Sequence, residues 1–259
     1  MFCDMRDFTS LSEGRTPEQV TALINRFLTP MSAAILERGG TIDKYIGDAI
    51  MAFWNAPLTD EAHARNACEA ALAMRDALAA LNYEIAREPG VGAILRFGIG
   101  LHSGPCLVGN MGSTQRFAYS ALGDCVNLAA RIEGQAKTYG VDILVSGETV
   151  AAAGAFATLE LDRVRVKGRQ QPAALHALIG PSAVAASPAF TALAGRHAAM
   201  QAAFLGRRWD EARAQLGDQA AYAEFGLGRA HALYAGRIAA AIAAPPPEGW
   251  DGTFDALTK

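Results

Sequence analysis

Thr41-Ile42-Asp43-Lys44-Tyr45-Ile46-Gly47-Asp48-Ala49-Ile50-Met51-Ala52-Phe53-Trp54 is the run from which the fold is read. Residues 41–46 and 49–54 are β-prone, and the Gly47-Asp48 pair between them is the signal of a tight two-residue hairpin. The segment therefore predicts two antiparallel strands with Asp48 at the tip. Near the start of the chain, Phe2-Cys3-Asp4-Met5-Arg6-Asp7-Phe8-Thr9 breaks an apolar strand at Asp4 in a similar way. Carboxylates at two strand ends suit a hard divalent cation, which takes oxygen ligands and often draws only one or two from the protein. Gly-Asp is also ordinary turn chemistry, and a strand can end on a solvated Asp; the pair gains meaning from what surrounds it.

Outward from the hairpin, the spacing of apolar residues turns helical. Thr16-Pro17-Glu18-Gln19 is a capping box with Pro at the first helical position, followed by Val20, Leu23, Ile24, Phe27 and Leu28. This predicts a helix to about residue 38, kinked at Pro30 and stopped by Gly39-Gly40. A second helix over 60–87 carries Ala67, Ala71, Met74 and Leu78 on one face. Residues 95–102 read as a buried strand, Gly109-Asn110-Met111-Gly112 as a turn region, and 116–120 as the returning half of a hairpin. A third helix begins near Asp124, followed by a strand over 141–145, a short helix from 147 and a last hairpin over 157–178. The order predicts an α+β fold, a ferredoxin-like βαββαβ sheet with helices packed on it.

From Pro181 the text becomes Ala-rich and helical, with helices expected over 193–205, 209–216 and on to about 243. Residues 181–259 are thus expected to form a small C-terminal helical unit beside a domain of residues 1–180. The end, Pro245-Pro246-Pro247-Glu248-Gly249-Trp250-Asp251-Gly252, is expected to run as an extended tail.

Composition narrows the function. The chain of 259 residues carries a net charge of −3, so no broad basic field attracts nucleic acid. Cys3, Cys68, Cys106 and Cys125 lack CxxC spacing, which argues against a zinc knuckle or a disulfide framework and fits a reduced, cytoplasmic setting. Pro181, Arg196, Arg207 and Arg237 interrupt the Ala-rich stretches before they reach bilayer-spanning length. Few residues precede Asp4 in its strand, so the natural chain is expected to start further upstream.

In Gly123-Asp124-Cys125-Val126-Asn127-Leu128-Ala129-Ala130-Arg131-Ile132-Glu133, Asn127 and Arg131 stand one helical turn apart and share a face. An amide and a guanidinium projecting together can position a ribose and stabilise phosphate charge. Taken in order, residues 2–9, 43–49, 97–104 and 119–133 resemble the class III adenylyl/guanylyl cyclase catalytic domain, over about residues 1–179.

The resemblance implies an adenylate cyclase that converts ATP to 3′,5′-cyclic AMP and pyrophosphate in intracellular signalling. A guanylate cyclase and a catalytically silent nucleotide-binding or dimerisation module are the alternatives. It also implies two Mg²⁺ or Mn²⁺ ions per site on Asp4 and Asp48, with the backbone of residues 5–9, Phe8 and Thr9 included, cradling the triphosphate. Lys44 and Ser120 would recognise the base, Asn127 would orient the ribose, Arg131 would stabilise the transition state, and Lys167 would bind phosphate. Family sites are shared across a head-to-tail homodimer, the aspartates coming from one subunit and Lys44, Asn127, Arg131 and Lys167 from the other.

This chain departs from the family pattern at two positions. Ser120 stands where many adenylyl cyclases have Asp, and its hydroxyl can contact adenine by donating or accepting. Asp7 stands where Gly is common, adding charge and a Cβ beside the triphosphate. Gly98, Gly100 and Gly104 read as close-packed strand and turn positions, and His102 as a structural histidine. The C-terminal unit resembles the tail of bacterial cyclases with an upstream membrane-bound sensor, which implies a location in the cytoplasm or at the cytoplasmic face of a membrane.

Overall fold

The computed structural model describes residues 1–88, 94–166 and 172–256. Strand β1 (Phe2–Met5) leads through the short helix α1 (Phe8–Ser12) into α2 (Pro17–Leu36). The hairpin β2 (Thr41–Ile46) and β3 (Ala49–Phe53) follows, then α3 (His63–Ile85) and β4 (Phe97–Leu101). These strands lie in the order β4-β1-β3-β2, the arrangement of a ferredoxin-like βαββαβ unit. Helix α2 starts at the capping box, with Thr16 and Gln19 each satisfying the other's backbone N–H, and continues through Pro30 to Leu36.

The chain then forms the hairpin β5 (Leu107–Ser113) and β6 (Arg116–Leu122), helix α4 (Asp124–Tyr139), β7 (Ile143–Ser146), α5 (Gly147–Ala153), β8 (Phe156–Val166) and β9 (Ala173–Pro181). Strands β7, β9 and β8 extend the main sheet beyond β4, while β5 and β6 form a separate two-stranded sheet. Gly109 to Gly112 lie inside β5, paired with Ser120 to Phe117, and do not form the turn that their glycines predict. The partner strand β6 supplies the backbone bonds that hold these residues extended.

After β9 come α6 (Ser182–Ala185), α7 (Pro188–Leu205), α8 (Trp209–Leu216), α9 (Gln219–Ala223) and α10 (Gly228–Ala243). The tail ends in β10 (Phe254–Ala256), which pairs parallel with β8 as an edge strand of an eight-stranded sheet. The C-terminal helices share one hydrophobic core with the sheet and α4: Met200, Phe204, Tyr222, Tyr234 and Ile238 pack with Leu128, Ile132, Tyr139, Leu159 and Leu175. Two polar contacts pin this junction. The Tyr139 hydroxyl donates to Asp162 at 2.7 Å, and Arg237 pairs with the same carboxylate at 2.7 Å.

Strand register decides which side chains share a face. In β1, Cys3 and Met5 are buried with Phe27, Met31 and Met74 of α2 and α3. Phe2 and Asp4 therefore point to the opposite face. Phe2 pairs with Met51, and Met51 with Lys44; residues directly opposite one another share a face, so Lys44 stands on the same side as Asp4. Helix α4 covers part of that face. A Cβ at Gly100 would lie 2.4 Å from the Ala129 carbonyl and 2.3 Å from the Glu133 amide nitrogen, so only glycine lets α4 come this close. No described helix is long and apolar enough to cross a membrane.

Candidate active site

The hairpin pairs Ile46 with Ala49 and leaves Gly47 and Asp48 as its tip, with Gly47 at φ 65°, the left-handed backbone that such a turn requires. There the Asp48 carboxyl meets that of Asp4, and the two share a hydrogen bond. Burial, followed by the charge of Asp48, pushes Asp4 up to about 6, and burial also raises Asp48. Crowded, partly desolvated acids resist ionising together. A hard divalent cation would relieve that conflict, and an all-oxygen donor pair is the chemistry it takes, so these residues fit a Mg²⁺-like ion. Among the described residues there is no cluster of three or more His, Cys, Asp or Glu placed to hold a metal. Two carboxylates leave coordination positions for water and phosphate.

Glu133 of α4 joins this neighbourhood, which the sequence did not reveal. Its carboxylate lies 2.5 Å from where a Cβ on Gly98 would stand, and Gly98 pairs with Asp4. Burial and the charge of Asp4 push Glu133 up to about 7. Only the packing of α4 on β4 brings it there; no spacing in the sequence signals it.

Asp7 opens the loop into α1 at φ 58°, a left-handed conformation that Asp tolerates better than most residues. Its carboxylate accepts a hydrogen bond from Lys137 Nζ at 3.0 Å, which holds its pKa below the usual range. The extra charge is therefore engaged by α4. Phe8 packs against the main core, and Thr9 is exposed.

Within β2, Lys44 Nζ donates to Ser120 Oγ at 3.3 Å, which joins β2 to β6. Asp43 connects them further. The register of β2 slips between Ile42 and Lys44, making Asp43 the extra residue of a β-bulge. Its fully covered side chain accepts from Ser120 Oγ at 2.6 Å and from the Ala121 amide at 3.1 Å. The other oxygen, Oδ1, has no aligned hydrogen bond and is met by charge, with Lys44 Nζ at 3.0 Å.

Asn127 is exposed on α4 and Arg131 half-buried one turn later. Lys167 lies outside the described residues. Among the described residues no hydrogen bond or ion pair joins Asp4 or Asp48 to Lys44 or Ser120. A cavity of about 300 Å³ opens between the start of β1 and the start of α4, lined by Phe2, Met51, Phe53, Cys106 and Val126, and none of the candidate residues borders it. His102 is a covered side chain bonded to Ser146 Oγ at 2.8 Å, in keeping with a structural role.

Comparison with known proteins shows the family and the fold. A family model described as "Adenylate and Guanylate cyclase catalytic domain" matches residues 1–180. Adenylate cyclase 1 of Rhizobium meliloti is 38% identical over 181 residues, 70% of this chain but only 27% of that relative's length. The crystal structure of the adenylyl cyclase CyaB from P. aeruginosa aligns at a TM-score of 0.63 and 34% identity, covering 69% of this chain and 91% of that one. That of the guanylyl cyclase Cya2 aligns at 0.62 and 34%, covering 70% and 90%. By its family match, and by a sheet that places Asp4, Lys44 and α4 on one face, the chain belongs to the adenylate and guanylate cyclase catalytic-domain family.

Proposed function

We propose that this chain is an adenylate cyclase that forms 3′,5′-cyclic AMP and pyrophosphate from ATP at sites shared by two copies of the chain. The observation that carries the reading is the convergence of Asp4 and Asp48, distant in sequence, into one raised-pKa carboxylate pair on the open face of the sheet. In the reaction the ribose 3′-hydroxyl attacks the α-phosphorus, a P–O bond forms, and the bond to the pyrophosphate leaving group breaks. Asp4 and Asp48 would hold the divalent ions, Mg²⁺ or Mn²⁺, which supply charge neutralisation on the phosphates and acidify the hydroxyl. Backbone amides of residues 5–9 cradle the triphosphate, and the Asp7 charge is drawn to Lys137. Asn127 orients the ribose. Arg131 and Lys167 meet the charge that builds on the phosphates.

A second copy supplies what one protomer lacks. The β5–β6 hairpin exposes Leu107, Phe117 and Leu122, each more than 60% accessible, and β2 exposes Tyr45 and Ile46. An isolated two-stranded sheet with an apolar surface is marginal in water and gains by being covered. Pairing of two chains over this face would set the aspartates of one against Lys44, Asn127 and Arg131 of the other.

Lys44 and Ser120 favour ATP. Guanylate cyclase activity is the second reading, supported by the nearly equal likeness to Cya2. Cyclic nucleotide output from Mn-ATP and Mn-GTP tests both, with Asp48→Asn as the control for the metal pair. The expected result is cyclic AMP from the wild-type chain and a loss of at least a hundredfold in Asp48→Asn with an unchanged circular dichroism spectrum. Retained turnover in that folded variant would overturn the metal assignment.

A further inference from the structure

Asp43 has a larger part in base recognition than its place inside a strand announces, an inference that rests on the proposed base site at Lys44 and Ser120. A serine hydroxyl carries one proton and two lone pairs, and in isolation it can donate or accept. Here the choice is already made. A carboxylate only accepts, so the 2.6 Å contact between Ser120 Oγ and Asp43 Oδ2 takes up the hydroxyl proton. One lone pair of Ser120 faces Lys44 Nζ at 3.3 Å, which leaves an acceptor and no donor for a ligand. Lys44 can only donate.

The Asp43 side chain has little freedom to reverse this. It is fully covered, seated in the β-bulge, held by the Ala121 amide at 3.1 Å and faced by the Lys44 ammonium at 3.0 Å. Bulges re-aim side chains beside functional sites, and this one turns Asp43 toward β6 without displacing Lys44 from its register with Met51.

We infer that Asp43 is a positioning residue for purine choice: by taking the Ser120 proton it presents a fixed acceptor beside the Lys44 donor, a pair complementary to adenine and opposed to guanine. The adenine edge offers an exocyclic amino donor next to the ring N1 acceptor. Guanine offers a carbonyl acceptor next to an N1–H donor, the reverse order. A base seated the same way would thus place its O6 lone pairs against those of Ser120 and its N1–H against the ammonium.

Steady-state turnover of ATP and GTP by the full chain and by Asp43→Ala tests the inference, because alanine offers no acceptor and so releases the Ser120 proton that Asp43 Oδ2 now takes. The kcat/KM for ATP should fall on the order of tenfold, mostly through KM. GTP should be unaffected or improve, so the ATP-to-GTP ratio falls by tenfold or more. A latch that merely joins β6 to β2 would lower both substrates alike, and an unmoved ratio overturns the inference.

Purine riboside 5′-triphosphate, which lacks the amino group, gives a check that does not need the Asp43 variant to fold. The wild type should use it about tenfold less well than ATP, and Ser120→Ala should remove that difference. Equal use of the two substrates by the wild type overturns the inference as well. A wild type that prefers GTP, or makes no cyclic nucleotide, would instead defeat the adenylate cyclase reading on which it rests.

Discussion

Arg131 and Asp7 show how one side chain takes its meaning from its surroundings. Arg131 projects from a helix held against the sheet by glycines, half-buried and one turn beyond Asn127. In the proposed reaction this guanidinium meets the negative charge that grows in the transition state, so Arg131→Ala should lower kcat on the order of a hundredfold or more while KM moves little. Stopped assays at saturating Mn-ATP measure this; a change confined to KM would make Arg131 a ground-state binding group instead. Asp7 carries the opposite lesson. Its left-handed backbone and its ion pair with Lys137 accommodate a charged residue in the loop proposed to cradle phosphates.

At the level of elements, helix α4 on strand β4 is the contact that the proposed chemistry needs. A methyl group at Gly100 would overlap backbone atoms of Ala129 and Glu133, which cannot rotate away as a side chain would. Gly100→Ala should cost about 1–3 kcal/mol of stability and displace Asn127 and Arg131, lowering turnover more than tenfold even where the protein stays folded. Thermal melting with parallel kinetics decides it; normal turnover in Gly100→Ala would show that the helix need not lie so close.

Much of this scaffold was legible in the residues. The capping box at Thr16, the Gly47-Asp48 tip and the start of α4 after Gly123 are local signals, and each stands where its chemistry places it. Gly109 and Gly112 misled because their conformation is set by pairing with β6, a non-local partner. For the same reason the tail ends in β10 against β8, the Asp43 bulge escaped notice, and Glu133 was not expected beside Asp4: in each case the deciding contact lies elsewhere in the chain.

Across the whole molecule, the C-terminal helices and the sheet share a core that also holds a titration trigger. His197 is buried between the Tyr222 hydroxyl at 2.9 Å and the Glu160 carbonyl at 2.8 Å, and burial lowers its pKa to about 4. A histidine whose folded pKa is depressed contributes stability in full above the unfolded value of 6.5, and that stability is lost as the pH falls toward 4. The loss should reach at most about 3 kcal/mol. Urea melts from pH 7.5 to 4.5 should show it, with a shallower slope in His197→Gln; identical slopes would place the acid sensitivity elsewhere.

In the proposed dimer each site draws its acids from one copy of the chain and its cationic groups from the other. Asp48→Asn and Arg131→Ala, each inactive alone, should regain cyclic AMP synthesis when mixed and allowed to exchange subunits. The expected output approaches roughly a quarter of wild type, because half of randomly paired dimers are mixed and each keeps one intact site. No recovery, with mixed dimers seen by native mass measurement, would contradict the shared site.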